Sequence, residues 1–300
     1  MTETELIRRI RRIAAEGPVN KAVVHGIGDD CAVMRPRTNE DFVFTTDFVL
    51  QDLHFTLETH KAADVGHKAL ARSLSDLAAM GSTPVFCLVS LAVPKELSGR
   101  WTEQFYRGLL ALAKRYGITL AGGDLSRFEK VIVDVMCCGR VPRGGSLLRS
   151  GAKAGDRIYV TGELGGSALG LATQKGAAWK RHLRPEPRIQ AGLELRRRGV
   201  SACMDLSDGL SLDLRRLCLE SNVSAEVWPS LPITKGATVE QALHGGEDYE
   251  LVFTAPARKK IPLSLGTPIG VIKAGTPGEV FYDSQKLAVG GFDHFTQAGG

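Results

Sequence analysis

The stretch from Gly26 to Phe55 constrains this 300-residue chain more than any other. Gly26-Ile27-Gly28-Asp29-Asp30 opens it, Thr45-Thr46-Asp47 lies inside it, and His54-Phe55 closes it. Two short apolar runs, Cys31–Met34 and Phe42–Phe44, flank a polar Arg35–Asp41 turn, which is the pattern of a hairpin. Such a hairpin would carry Asp30 and Asp47 to the same end of a small sheet. Two carboxylates and the hydroxyls of Thr45 and Thr46 would then converge where glycine loosens the backbone. Hard oxygen ligands of this kind suit Mg²⁺, which keeps several waters and takes few carboxylates beside substrate phosphates. Gly and Asp are also ordinary turn residues, so the stretch taken alone reads equally as a turn with Asp47 capping a helix.

Around it the chain alternates helix and strand. Thr4–Ala15 is an amphipathic helix with Leu6, Ile10 and Ile13 on one stripe. Ala62–Met80 is the clearest helix, with Leu70, Leu74 and Leu77 in register and Gly81 as its stop. Asp76 lies off that stripe, beside Arg72 and Ser73. Val85–Val93 and Val131–Gly139 read as buried strands, Trp101–Arg115 as a helix carrying Tyr106, and Ile118–Ala121 as a strand running into Gly122-Gly123-Asp124. After a turn-rich Gly151–Asp156 come the strand Arg157–Thr161 and a helix over Ser167–Thr173. Neither the Walker A lysine nor the third glycine of a dinucleotide fingerprint is present. A second acidic centre follows: Asp205, Ser207 and Asp208 precede a helix with Leu210, Leu214 and Leu217. Ser207 reads as its N-cap and Asp208 as a favourable first-turn charge, which leaves Asp205 unexplained. Gly245-Gly246-Glu247-Asp248 then leads into the apolar run Tyr249–Thr254.

Composition excludes several classes. With 43% hydrophobic residues the chain can bury a substantial core, more naturally as two domains than one. The formal charge of +5 gathers in Arg8–Arg12 and Arg196–Arg198, whose apolar neighbours mark solvated helix faces without aromatic interleaving, so nucleic acid is not an expected partner. Cys31, Cys87, Cys137, Cys138, Cys203 and Cys218 show no CxxC spacing and sit mostly in apolar runs, as buried thiols of a reducing compartment do. No leader-like or membrane-spanning run appears, and the expectation is a soluble, cytoplasmic protein with no membrane partner.

Asp30, Asp47, Asp76, Asp124, Asp205, Asp208 and Glu247 all stand beside glycine or at element ends. Like charges ~4 Å apart repel by about 4 kcal/mol per pair at an effective dielectric of 20, so several such groups sharing a site need divalent cations. Polyphosphate is the usual reason to gather those cations. The residues therefore point to metal-dependent phosphoryl transfer and leave the substrate open.

Eight segments, in order across nearly the whole chain, resemble thiamine-monophosphate kinase. They are Gly26–Asp30, Thr45–Asp47 with His54-Phe55, Lys68-Ala69-Leu70-Ala71 through Ser75–Gly81, Gly122-Gly123-Asp124, Leu148–Ala152, Arg184-Pro185 with Pro187-Arg188, Asp205–Leu210, and Gly245–Leu251. That family shares an ATP-binding superfamily with aminoimidazole ribonucleotide synthetase, selenophosphate synthetase and a hydrogenase maturation factor. The resemblance implies direct, Mg²⁺-dependent transfer of the γ-phosphate of ATP to thiamine monophosphate. It implies magnesium positions at Asp30, Thr45, Thr46, Asp47, Asp76, Asp124, Asp205 and Asp208. ATP contacts fall on Tyr106, Gly123, Asp124, Arg149 and Ser207, and thiamine-phosphate contacts on His54, Glu247 and Phe292. The implied fold class is α/β (α+β): an N-terminal α/β domain (1–146) that binds ATP and Mg²⁺ and forms a homodimer through its sheet, and a C-terminal α+β domain (147–300) that completes the active site. Departures from the family pattern are Leu125-Ser126-Arg127 in place of a threonine pair, Gly165-Gly166 where aspartate is common, Asp52-Leu53 where glycine is common, and Phe292 for tryptophan.

Rival enzymes of the same superfamily need cysteines that this sequence lacks: none lies within Met1–Asn20, as selenophosphate synthetase requires, nor in Gln297–Gly300, as the maturation factor requires. A non-catalytic nucleotide-binding module is the rival from another class, and the expectation against it is turnover of ATP with thiamine monophosphate.

Overall fold

The structure is a computed structural model that describes residues 3–18, 20–21, 23–25, 33–34, 38–288 and 290–292. The chain divides into two compact units, Met1–Leu77 with Ser82–Gly145 and Ala78–Gly81 with Ser146–Gly300. Both mix helix and sheet, as the α/β class requires.

The first unit runs α1 (Glu3–Ala15), β1 (Val23–His25), β2 (Val33–Met34), β3 (Glu40–Leu50), α2 (Ala62–Ala79), β4 (Thr83–Val93), α3 (Arg100–Tyr116), β5 (Thr119–Arg127) and β6 (Ile132–Pro142). Its four-stranded sheet has the order β3-β6-β4-β5, with β4 and β5 parallel and the other pairs antiparallel. Among the described residues the expected hairpin pairing is not seen. β3 pairs along its whole length with β6, from Glu40↔Pro142 to Leu50↔Ile132, whereas Val33–Met34 pairs with Val23–His25. β6, also eleven residues long, satisfies one whole edge of β3, which stands at the margin of the sheet. Asp30 lies outside the described residues, so its expected approach to Asp47 is not described.

Alternation along β3 sends Val49 into the core, with Thr45 and Asp47 on the same side. Helix α2 covers that side, and Ser73 Oγ donates to the Val135 carbonyl at 2.8 Å. α2 and α3 approach closely because both carry glycine at the crossing. A Cβ on Gly66 would lie 2.0 Å from the Phe105 carbonyl oxygen, and one on Gly108 2.0 Å from that of Ala63. On the other side of the sheet, Phe42, Leu88 and Met136 are half-buried, while Phe44 and Phe48 are 61% and 57% exposed.

The second unit runs β7 (Asp156–Val160), α4 (Gly166–Thr173), α5 (Gly176–Leu183), α6 (Ile189–Arg198), β8 (Ala202–Asp205), α7 (Leu210–Glu220), β9 (Ser224–Val227), α8 (Val239–His244), β10 (Leu251–Pro256), β11 (Thr267–Lys273), β12 (Val280–Tyr282) and β13 (Gln285–Lys286). Seven strands pair in the order β13-β12-β9-β11-β7-β10-β8. The stripe Leu210, Leu214, Leu217 of α7 packs into a core with Ile158, Met204, Val252 and Ile269. The described cysteines, Cys87, Cys137, Cys138, Cys203 and Cys218, are buried free thiols. Among the described residues no helix is long and apolar enough to cross a membrane.

Candidate active site

Each unit holds one acidic centre. In the first, β3 and α2 bring Thr45, Asp47 and Asp76 together. Thr45 Oγ1 donates to Asp76 Oδ2, and Arg72 stands 4.0 Å from Asp47. Burial raises the Asp47 carboxyl above the usual carboxylate range, against the opposing pull of Arg72 and of hydrogen bonds with Ser73 and Asp76. Its Oδ2 is buried and has no hydrogen-bond partner among the described residues. Thr46 is not part of that group: one residue out of phase on the strand, it donates from Oγ1 to Asp134 on the open face.

Gly122-Gly123-Asp124 lies inside β5, where the sequence placed it after the strand. Gly123 holds φ +150°, and a Cβ there would fall 1.9 Å from the Val89 carbonyl oxygen, so the site needs glycine. Asp124 is exposed and stands in register with Ser90, which in turn pairs with Asp134. Tyr106 is buried in α3. Desolvation raises its phenol, with Cys87 and the charge of Asp124 adding to the shift.

His54 sits in a tight turn at the end of β3. Its N–H donates to the Leu50 carbonyl at 2.9 Å, and its Nδ1 accepts the Leu50 N–H at 2.9 Å. The neutral ring therefore carries its proton on Nε2. Lys68, fully buried, donates from Nζ to the His54 carbonyl at 3.0 Å and ties this turn to α2.

The second centre forms where the Asp205–Gly209 segment lies beside Gly246–Glu250. Glu247 N–H donates to the Ser207 carbonyl at 2.7 Å, Tyr249 N–H to that of Leu206 at 2.9 Å, and Leu206 N–H to that of Glu250 at 2.8 Å. Asp205 is buried at the end of β8, opposite Leu251. The expected N-cap is corrected here. Gly209 occupies the cap of α7 with φ +112°, and Asp213 reaches back from the first turn. Its Oδ2 accepts the Asp208 and Gly209 N–H groups at 2.9 and 3.1 Å. Arg216 bridges Asp213 and Asp208 at 2.9 and 2.5 Å. Burial, aided by the Asp208 charge, pushes the Asp213 carboxyl up to about 7.

Gly290–Phe292 is strapped onto this helix start. Phe292 N–H donates to the Asp208 carbonyl at 3.1 Å, and Ser211 Oγ donates to the Gly290 carbonyl at 3.0 Å. Phe292 thus stands beside Asp208. Arg149 is exposed, and its carbonyl accepts from Ser221 Oγ at 2.8 Å.

Sequence reasoning missed the cations that hold these acids. Arg181 reaches Asp248 at 3.3 Å and Glu250 at 3.1 Å, and Arg188 forks onto Glu250. Asp248 also accepts the Gly165 and Ser167 N–H groups at the start of α4. The signal available was Arg184-Pro185 with Pro187-Arg188, which had no assigned role. Among the described residues no group of three His, Cys, Asp or Glu side chains converges as a finished metal site.

The N-terminal domain model of the AIR synthase related proteins matches residues 28–141, and the C-terminal domain model matches residues 153–260. The thiamine-monophosphate kinase of Rhodopirellula baltica is 37% identical over 276 residues, which is 84% of this chain and 83% of that protein. The crystal structure of thiamine-monophosphate kinase from Stenotrophomonas maltophilia K279a superposes with a TM-score of 0.84 at 38% identity, covering 96% of this chain and 98% of that one. AaThiL complexed with AMPPCP and TMP superposes with a TM-score of 0.80 at 32% identity, covering 98% and 97%.

Proposed function

The chain belongs to the thiamine-monophosphate kinase family, and we propose that it transfers the γ-phosphate of ATP directly to thiamine monophosphate, giving thiamine diphosphate. The observation that carries this reading is kinship over 98% of the chain with a protein complexed with both AMPPCP and TMP. AMPPCP is ATP with carbon in the β–γ bridge, so the pair represents donor and acceptor held together.

In this reading residues 1–146 hold nucleotide and metal, and 147–300 complete the site. Mg²⁺ is assigned to Asp30, Thr45, Thr46, Asp47, Asp76, Asp124, Asp205 and Asp208. The described oxygens of Thr45, Asp47 and Asp76 fit such a group, being hard donors with Asp47 Oδ2 a buried carboxylate oxygen without a hydrogen bond, whereas Thr46 donates to Asp134 on the other face of the sheet and enters the set from the family resemblance alone. When bound, the metal would neutralise the polyphosphate charge. Tyr106, Gly123, Asp124, Arg149 and Ser207 are assigned to ATP, with Gly123 letting β5 close onto the Val89 backbone beside Asp124. His54 and Glu247 orient the acceptor, and Phe292 offers an aromatic face to the cationic thiazolium.

The acceptor oxygen is already anionic near neutral pH and needs no strong base. Catalysis then rests on positioning and on screening two polyanions. The Ser-His contacts near the site, Ser167–His182 and Ser211–His244, involve serines that are only 1% and 2% exposed, so neither presents an open nucleophile. The open sheet face with Phe44 and Phe48 supports a homodimer, to be read by light scattering at assay concentration, where a monomer would refute it. The protein is assigned to the cytoplasm.

The decisive assay follows thiamine diphosphate formed from ATP, thiamine monophosphate and Mg²⁺, with a chiral γ-thiophosphate reporting inversion. Absence of product, or retention of configuration, would overturn the activity or the direct route respectively. Asp208→Asn should weaken Mg²⁺ activation; unchanged Mg²⁺ dependence would remove Asp208 from the metal set.

A further inference from the structure

Glu247 reaches its place through a backbone with φ +64°, and Tyr249 follows with φ +51°. For residues with a Cβ this left-handed conformation costs roughly 1–3 kcal/mol and persists only where the surroundings enforce it. The main-chain bonds to Ser207 and Leu206 fix the backbone but say nothing about where the Glu247 carboxylate settles. A histidine outside the motif set meets it: Nδ1 of His182, on α5, lies 3.4 Å from Glu247 Oε2 and 2.9 Å from Ser167 Oγ. His182 is only 3% exposed and stacks on Trp179, with ring centroids 5.2 Å apart at 13°. Ser167 is itself pinned at the start of α4, where its N–H donates to Asp248 at 2.9 Å. The neighbouring Arg181 holds Asp248 and Glu250, so consecutive residues of α5 grip the segment on both sides of Tyr249.

The tautomer follows from the contacts. A lone pair on Nδ1 would face a carboxylate oxygen, whereas an N–H there is shared between Ser167 Oγ and Glu247 Oε2. We propose that His182 is a positioning residue for the acceptor, whose Nδ1–H aims the Glu247 carboxylate at the cationic ring of the substrate. This rests on the reading that Glu247 contacts thiamine monophosphate. His182 touches no substrate in this scheme; it acts through Glu247.

The test is steady-state kinetics on the full chain with three single variants and one double. His182→Phe keeps the stack on Trp179 and removes the donor, while His182→Asn places an amide N–H near the Nδ1 position. His182→Phe should raise KM for thiamine monophosphate about tenfold, the scale of one hydrogen bond to a charged group, and leave KM for ATP unchanged. His182→Asn should recover most of that loss. Glu247→Gln should raise the same KM, and His182→Phe combined with Glu247→Gln should be no worse than the poorer single variant. An unchanged acceptor KM in His182→Phe beside a raised one in Glu247→Gln would overturn the inference alone. Additive losses, or equal rises in both KM values, would overturn it in favour of a structural role. An unchanged KM in Glu247→Gln would overturn the acceptor role of Glu247 itself.

Discussion

Glu250→Gln tests the charge network beneath the acceptor segment. The Glu250 side chain is completely buried and accepts from Thr161 Oγ1 at 2.6 Å, from Arg181 Nη2 at 3.1 Å, and from Arg188 through Nε at 2.7 Å and through Nη2. Glutamine keeps the volume and one acceptor oxygen, but in either orientation its amide N–H₂ faces a guanidinium N–H. Three guanidinium bonds lose their charge assistance, and a hydrogen bond to a charged group normally contributes about 1.5–3 kcal/mol. Removing one partner of a fully buried pair costs about 3–5 kcal/mol. Here the arginine side chains are 22% and 35% exposed, so water recovers part of their charge and the lower end applies. A net loss of about 3 kcal/mol corresponds to a fall of about 6–12 °C in Tm for a unit of this size. Differential scanning calorimetry of wild type and variant at pH 7.5 measures it. A shift below about 2 °C would show that the arginines are satisfied without the carboxylate and would refute the network as the anchor of this segment.

Two further outcomes follow from particular geometries. In metal-free protein, the Asp213 carboxyl, raised to about 7, holds its proton in the folded state over a range where the unfolded chain has lost it. Folding stability should therefore fall by up to ~4 kcal/mol as pH rises from about 4 to 7 and level off above; Asp213→Asn should flatten that slope in denaturant titrations, and parallel curves would refute it. Gly123→Ala puts a Cβ against the Val89 carbonyl at 1.9 Å in a conformation that disfavours any side chain, and should destabilise the protein by about 3 kcal/mol and abolish calorimetric ATP binding. Wild-type affinity in that variant would sink the argument.

The parts that were legible in the sequence are those encoded locally. The apolar stripes of Ala62–Met80 and Trp101–Arg115 give helices at Ala62–Ala79 and Arg100–Tyr116, because a 3.6-residue period needs no partner to be seen. Strand pairing was not legible. Phe42–Phe44 and Cys31–Met34 look like a hairpin by proximity, yet Asp47 pairs with Val135, far along the chain, since length and burial decide which edge β3 joins. The α7 cap shows the same limit. Ser207 satisfies the local rule for an N-cap, but Asp213 wins because Arg216 helps offset the cost of burying it, and a buried carboxylate can accept two N–H groups at once.

That outcome also revises the charge argument drawn from the acids alone. From the sequence alone, mutual repulsion within the acidic segments calls for divalent cations throughout. The structure meets much of that demand with its own cations: Arg181 and Arg188 serve Asp248 and Glu250, and Arg216 serves Asp208 and Asp213. These partners come from other helices and loops or from within α7, so no glycine-acid motif announces them. Asp47 remains different in kind. Arg72 approaches only to 4.0 Å, burial still raises its carboxyl, and its Oδ2 is left without a hydrogen bond. An ionised oxygen in that position is tolerable only if something else compensates it, which makes Asp47, more than Asp208, the carboxylate whose stability should respond to added Mg²⁺.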